Sequence, residues 1–240
     1  MRLKGEIVDV GQLTSSDKIR MVEILSRYFD NISRSNFDAD MDRKDQVILL
    51  RDFHTGALQG FSTLQVTTSM VNGQRVRSVF SGDTILERDY WQDLESSRMF
   101  LKAMTDLKNC SQDPLYWFLI CMGYRTYRFL PIYFKEFFPR FDAKTPPMEK
   151  MILDHLATER FKTCYDSATG LIHLPEPRSC LKPEFAEVGQ GRLNNPHIRF
   201  FIEHNSGFQD GMELACLARF DENNLNPIAF RVMGREDKGC

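Results

Sequence analysis

The chain has 240 residues, 42% of them hydrophobic and 27% charged, with a formal net charge of −2. That length suffices for one full hydrophobic core, or for one core with a substantial appendage. No lysine and arginine cluster stands out, which argues against nucleic acid as a partner. No apolar run approaches the length of a membrane span, and residues 1–10 carry Glu6 and Asp9 where a signal peptide needs an uncharged core, so a cytoplasmic protein without a membrane span is expected.

The six cysteines (Cys110, Cys121, Cys164, Cys180, Cys216 and Cys240) are scattered, with no C-x-x-C pair. His155, His173, His197 and His204 show no grouping either, so no metal site is expected. In a chain of this size without an export signal, reduced thiols are the expected state.

In chain order, residues 4–10 predict a first strand, with Ile7, Val8 and Val10 supplying β-branched bulk. Thr14, Ser15, Ser16 and Asp17 form a helix-start cluster. Val22, Leu25, Phe29 and Ile32 then recur on one face, predicting a helix to about Ser33. Residues 36–44 are polar and aperiodic and read as a loop, while residues 46–53 and 58–70 read as strands. Asn72-Gly73 marks a two-residue turn, because both turn positions need positive φ, so residues 58–86 form one long antiparallel hairpin. Consecutive antiparallel strands exclude a purely parallel doubly wound sheet.

Gly82, inside the second arm of that hairpin, marks a bulge or a close approach to the backbone. After a polar turn, residues 93–108 predict an amphipathic helix with Asp93 and Glu95 at its start and Lys102 and Lys108 toward its end. Residues 115–121 are a continuous apolar run of strand length. They read as a strand buried on both faces and paired in parallel with the preceding strand. Pro131 divides the following aromatic segment into two short helices, residues 124–130 and 131–138. Residues 148–160 predict a helix, residues 175–193 a long loop, and residues 198–203, 213–220 and 227–232 strands. The division expected is a core at residues 1–145 and a helix-plus-strands extension at residues 146–240.

A strand that breaks into a turn and then a helix gathers backbone N–H groups and a helix N-terminus at one spot, and such a spot attracts phosphate or carboxylate. Residues 81–95 are that place in this chain. The order of elements around it resembles the GNAT-type acyltransferase superfamily over residues 1–139. The resemblance implies an α/β (α+β) fold: a mixed, largely antiparallel central sheet flanked by helices, here with a C-terminal α/β extension.

In that superfamily the corresponding strand bulges and its amides hold the pantetheine of an acyl thioester. The role falls here to Ser81, Gly82, Asp83, Thr84, Ile85 and Leu86. The turn that follows, with Arg88, Tyr90 and Trp91, looks like the entry to the family's pyrophosphate loop. That loop's glycine signature is absent, since Trp91-Gln92-Asp93-Leu94-Glu95 has no glycine and two acids. Two readings follow. An acyl chain on an acyl carrier protein brings phosphopantetheine without adenosine diphosphate and needs no such loop; the long-chain N-acyl amino acid synthases are similar in this. Alternatively the fold serves as a non-catalytic binding or assembly module. On the first reading acyl-CoA or the acyl-ACP phosphopantetheine is co-substrate, no cofactor is tightly bound, a small-molecule amine is the acceptor and an acyl carrier protein is a partner. On the second a homodimer or other complex is expected.

Amine acylation needs a base for the ammonium proton, dipoles on the thioester carbonyl and an acid for the leaving thiolate. The resemblance implies a tyrosine on the helix after the buried strand as that acid, Tyr127 ahead of Tyr124. Glu87 and Asp83 are the nearest candidate bases, and Arg88 is placed to stand in partly for the missing glycine amides. Arg125 and Arg128 suit a substrate carboxylate or the phosphopantetheine phosphate, or else ordinary ion pairs with Glu87, Asp89 or Glu136. Phe129, Ile132, Tyr133, Phe134, Phe137 and Phe138 form an apolar stripe that reads as core or as a groove for an acyl chain.

Overall fold

The computed structural model describes residues 2–234; Met1 and residues 235–240, Cys240 among them, lie outside the described residues. β1 (Leu3–Asp9) leads through one 3-10 turn into α1 (Ser15–Tyr28), followed by β2 (Phe29–Asp30) and α2 (Arg34–Met41). Thr14 Oγ1 accepts from the Asp17 N–H at 3.0 Å while the Asp17 carboxylate reaches back to Thr14, a reciprocal cap that fixes the start of α1. β3 (Gln46–Asp52), β4 (Leu58–Val71) and β5 (Gln74–Leu86) form the antiparallel run, and Asn72 and Gly73 turn the hairpin at φ 49° and 76°. α3 (Glu95–Asn109) crosses to β6 (Leu115–Cys121), after which α4 (Tyr124–Tyr127) and α5 (Phe129–Tyr133) follow in quick succession. The remaining elements are α6 (Pro147–Phe161), β7 (Tyr165–Asp166), β8 (Leu171–Ile172), β9 (Cys180–Leu181), α7 (Pro183–Ala186), α8 (Pro196–His204), β10 (Glu213–Arg219) and α9 (Pro227–Val232).

Among the described residues, eight strands form one sheet in the order β1-β3-β4-β5-β6-β10-β8-β7, and β2 pairs with β9 apart from it. Within the sheet β5 and β6 run parallel, and the other neighbours pair antiparallel. This is the mixed, largely antiparallel sheet flanked by helices that the sequence implies. β6 sits near its centre, buried on both faces because nearly every one of its residues is apolar.

Alternation along the strands assigns the two faces. Val79, Trp117, Leu119 and Cys216 pack beneath α3 with Leu101 and Met104. Their neighbours Phe80, Phe118, Ala215 and Leu217 point the other way, against Ile152, Leu153 and Leu156 of α6. Further along that second face, Met21, Ile24 and Leu25 of α1 cover Val47, Leu49 and Phe61. Each such side chain fully buried contributes roughly 1.5–3 kcal/mol, so packing and not helix propensity holds these layers.

Several elements differ from expectation for local reasons. Residues 198–203 are helical: Asn195 Oδ1 accepts from the N–H of His197 and of Ile198, and Pro196 sits at the first helical position. Residues 227–232 are helical too, with Asn226-Pro227 giving the same start. These apolar runs are equally suited to either period, and the caps decide. Part of residues 36–44 belongs to α2, capped by Ser33 and anchored by Phe37 and Met41 one turn apart. α1 stops at Tyr28, short of Ser33, because Phe29 and Asp30 pair with Leu181 and Cys180. That pairing also gives residues 175–193 structure beyond a loop. α4 and α5 end at Tyr127 and Tyr133, so residues 134–138 are not helical.

Candidate active site

β5 and β6 are in register from Arg77 opposite Leu115 to Ser81 opposite Leu119, and there the pairing ends. β5 stays on β4 beyond that point, and β6 stays on β10 as far as Cys121 opposite Leu214. The two central strands therefore part like a fork. At the crotch, Ser62 faces Thr84 while Leu64 faces Ser81, so Thr63 stands opposite both Gly82 and Asp83 and the strand bulges. A Cβ on Gly82 would lie 2.6 Å from Lys44 Nζ and 3.1 Å from Thr63 Oγ1, so glycine is needed here for a close approach.

The fork opens into a cleft of about 590 Å³, within the usual range for small-molecule sites. Thr84, Ile85 and Leu86 form one wall and Gly123 and Tyr124 the other, with Phe185 from the C-terminal part among the lining residues. Among the described residues the β6-facing edge of residues 82–86 has no strand partner.

Tyr124 faces this cleft and its hydroxyl makes no hydrogen bond among the described residues. Tyr127 does not line the cleft. It is fully buried among Phe137, Phe200 and Phe201, donates to the Pro139 carbonyl at 2.9 Å, and burial pushes its phenol far above the usual range. Arg125 and Arg128 both line the cleft; Arg125 Nη1 donates to the Phe185 carbonyl at 2.8 Å and its guanidinium lies 4.8 Å over the Trp91 ring. Trp91 lines the cleft as well, its indole N–H donating to the Leu86 carbonyl at 2.7 Å. Phe129, Ile132 and Tyr133 of the aromatic stripe reach the cleft, whereas Phe134 and Phe137 are core.

Other expected site residues are engaged elsewhere. Ser81 accepts from the Trp117 indole at 2.8 Å inside the core. Tyr90 donates to Asp52 at 2.7 Å, and that hydrogen bond pushes its phenol up to about 12. Glu87 accepts from Arg20 at 3.1 Å, Arg27 at 2.5 Å and Tyr28 at 3.0 Å. The Arg88 N–H is spent on the Tyr28 hydroxyl at 2.6 Å. Burial, reinforced by Glu87, pushes the Tyr28 phenol up to about 12.

The chain's own acids fill the α3 N-terminus. Asp93 accepts from the Glu95 N–H at 2.7 Å and from the Leu3 N–H at 2.9 Å. Glu95 accepts from the Gly5 N–H at 2.8 Å, and Arg98 beside it holds its carboxyl below the usual range. These carboxylates stand where an anion would meet the helix dipole, and they fasten β1 to α3 in doing so.

A second group of polar residues lies behind the bulge, on the face that carries α6. Lys44 is 6% exposed and pairs with Asp40 at 2.7 Å; Arg160 pairs with the same carboxylate at 3.1 Å and stacks 3.7 Å over Phe80. Asp83 and Glu213 are pushed up to about 6 and about 8, in each case chiefly by burial. Burial likewise lowers Lys44, and lowers Arg160 to about 10. Of these, only Asp83 is a site candidate from sequence. The others lie far apart in the chain: Asp40 in α2 with Lys44 just after it, Arg160 in α6 and Glu213 at the start of β10. Among the described residues no group of three or more His, Cys, Asp or Glu side chains is arranged to hold a metal ion.

The arrangement is a mixed, largely antiparallel sheet in which β5 and β6 form the parallel pair. No family model matches the chain, and no curated protein matches it. Among solved structures, glucosamine-6-phosphate N-acetyltransferase from Arabidopsis thaliana is similar at 9% identity and a TM-score of 0.38, over 54% of this chain and 88% of that one. An acetyltransferase from Trypanosoma brucei matches at 14% identity and 0.36, over 53% and 87%. A transcriptional regulator from Bacillus halodurans C-125 matches at 13% identity and 0.40, over 60% and 99%.

Proposed function

We propose that the chain moves an acyl group from a pantetheine thioester to an amine. The observation that carries this reading is the fork beyond Ser81, which leaves one edge of residues 82–86 without a strand partner among the described residues, along a largely apolar cleft. A pantetheine arm carries amides along its length, and an open strand edge supplies matching donors and acceptors. Tyr124, beside Gly123 in the opposite wall, is the proton donor to the leaving thiolate in this scheme. Arg125 and Arg128 at the same wall take the phosphate.

The acids at the α3 N-terminus favour a donor recognised without its pyrophosphate, so acyl carrier protein is the expected carrier ahead of coenzyme A. Labelled acyl-ACP and acyl-CoA with a panel of primary amines test this: transfer from the carrier protein, slowed by Tyr124→Phe, supports it. Absence of thioester binding overturns it. The neutralised helix terminus also suits a module that holds an acyl chain without transferring it, and thioester binding without turnover would favour that second reading.

A further inference from the structure

We propose that residues 180–185 form a clasp across the open end of the fork, which swings aside to admit the acyl-pantetheine arm and closes over it. The proposal rests on the thioester reading of the cleft and adds how that site is opened and sealed.

Position carries the inference. The fork has residues 84–86 on one side and Gly123 with α4 on the other, and this segment of the C-terminal part is fastened to both sides. Toward the first side, Leu181 and Cys180 pair with Phe29 and Asp30, the Lys182 N–H donates to the Tyr28 carbonyl at 2.9 Å, and Lys182 Nζ donates to the Ser26 carbonyl at 2.8 Å. Tyr28 is itself tied to the end of β5 through Glu87 and the Arg88 N–H. Toward the second side, Leu181 lies so near Gly123 that a Cβ there would stand 3.0 Å from its Cδ1. Phe185 reaches both. Its ring packs on Tyr28 and Trp91, with centroids 4.7 and 6.2 Å away, while its carbonyl accepts from Arg125 at 2.8 Å. Leu181 and Phe185 also line the cleft, so a ligand laid along the open edge of residues 82–86 meets them only when the clasp is closed. That contact is the differential affinity a closing element requires.

The hold is light between firm roots. Arg178, whose guanidinium donates to the Leu174 and Asp210 carbonyls, fixes one end, and buried Ala186 fixes the other. Between them β2 and β9 share a ladder of two residue pairs outside the main sheet, and an isolated two-stranded pairing is marginal in water. The hydrogen bonds made by the Arg125 and Lys182 side chains are solvent-exposed, where water replaces them at little cost. Opening therefore breaks this ladder and unseats Phe185 while the eight-stranded sheet stays whole. An arm tethered to a carrier protein has only its acyl end free, and an opening clasp lets it lie down in the fork sideways, with no need to thread that end beneath residues 180–185.

The test locks the clasp and separately removes its catch. Asp30→Cys sets a thiol opposite Cys180, and directly paired antiparallel residues, roughly 4.5–5.5 Å apart at Cα, lie within disulfide reach. The probe is S-hexanoyl-pantetheine, which carries no phosphate and so reads Arg125 as a catch alone; stopped-flow fluorescence follows it, since Trp91 lies in the cleft wall. Closing the disulfide with diamide should slow association and dissociation roughly tenfold or more, the effect of sealing off a minor open population, and dithiothreitol should restore both. Arg125→Gln should speed both rates several-fold. Rates indifferent to the disulfide and to Arg125→Gln overturn the clasp. Hydrogen exchange decides without any ligand: if the segment opens as one piece, Arg125→Gln should also raise exchange of the Lys182 amide, on the far side of the fork, and leave that of His173, bonded to the Cys164 carbonyl, unchanged. An unmoved Lys182 amide overturns the clasp. If that coupled exchange is seen and no thioester binds, the transferase reading falls and the clasp stands; if the thioester binds at rates that neither change alters, the clasp falls alone.

Discussion

Replacing each tyrosine of α4 by phenylalanine separates chemistry from architecture. Tyr127 contributes one neutral hydrogen bond, to the Pro139 carbonyl at 2.9 Å, from a fully buried position. Its loss costs about 0.5–1.5 kcal/mol, and somewhat more because a carbonyl is left unsatisfied. In a chain of this length 1 kcal/mol moves Tm by roughly 2–4 °C, so Tyr127→Phe should melt roughly 2–8 °C lower with its transfer rate intact. Tyr124 has no hydrogen bond to lose among the described residues, so Tyr124→Phe should melt within about 2 °C of wild type. As a positioned acid it contributes about 10²–10⁴ in rate, equivalent to about 3–5 kcal/mol of barrier. Single-turnover acyl transfer and thermal unfolding on the same preparations measure both quantities. A hundredfold slower transfer by Tyr127→Phe at an unchanged melting temperature, or an unchanged rate in Tyr124→Phe, would refute these roles.

Gly82→Ala should lower stability by about 1–3 kcal/mol, because the new methyl collides with Lys44 Nζ, Thr63 Oγ1 and Phe80; denaturant unfolding measures it, and a neutral result would mean that the bulge is looser than described. Asp93→Asn with Glu95→Gln should raise the affinity for coenzyme A relative to free pantetheine, since two charges leave the helix terminus; paired titrations check the ratio. Asp83 and Glu213 both sit above their ordinary values in the folded chain, so between about pH 4.5 and pH 8 the folded state holds more protons than the unfolded and these two groups lose stabilising effect as pH rises. Melting temperatures of Glu213→Gln should accordingly gain on wild type from pH 5 to pH 8, and parallel curves would contradict the burial of this acid. Glu87→Gln should weaken the Arg20, Arg27 and Tyr28 contacts and lower Tm by a few degrees without changing the pH profile of transfer, as befits a structural acid.

The sheet and its fork were legible because their signals are local. Asn72-Gly73 announces the hairpin, the apolar run of β6 announces burial on both faces, and Gly82 marks the bulge. Tyr124 and Tyr127 were visible as a pair, but which faces the cleft depends on Phe200 and Phe201 of α8, which arrive from more than seventy residues away. α8 is ambiguous in sequence because an apolar run of six residues fits either period; the informative residues are Asn195 and Pro196 at its start. The Lys44, Arg160 and Glu213 group was illegible in principle, since its members share no segment and only tertiary packing strips them of water.

Because β10 zips onto β6 from about a hundred residues downstream, the order of synthesis matters. At ribosomal speeds of roughly 5–20 residues per second, the edge of β6 from Tyr116 to Cys121 emerges and then waits several seconds for its partner. During that interval a strand made almost wholly of apolar residues offers unpaired backbone to any passing chain. Expression yield should therefore respond to translation rate and chaperone supply more than the finished molecule's stability would suggest, with the damage done before the last quarter of the polypeptide exists.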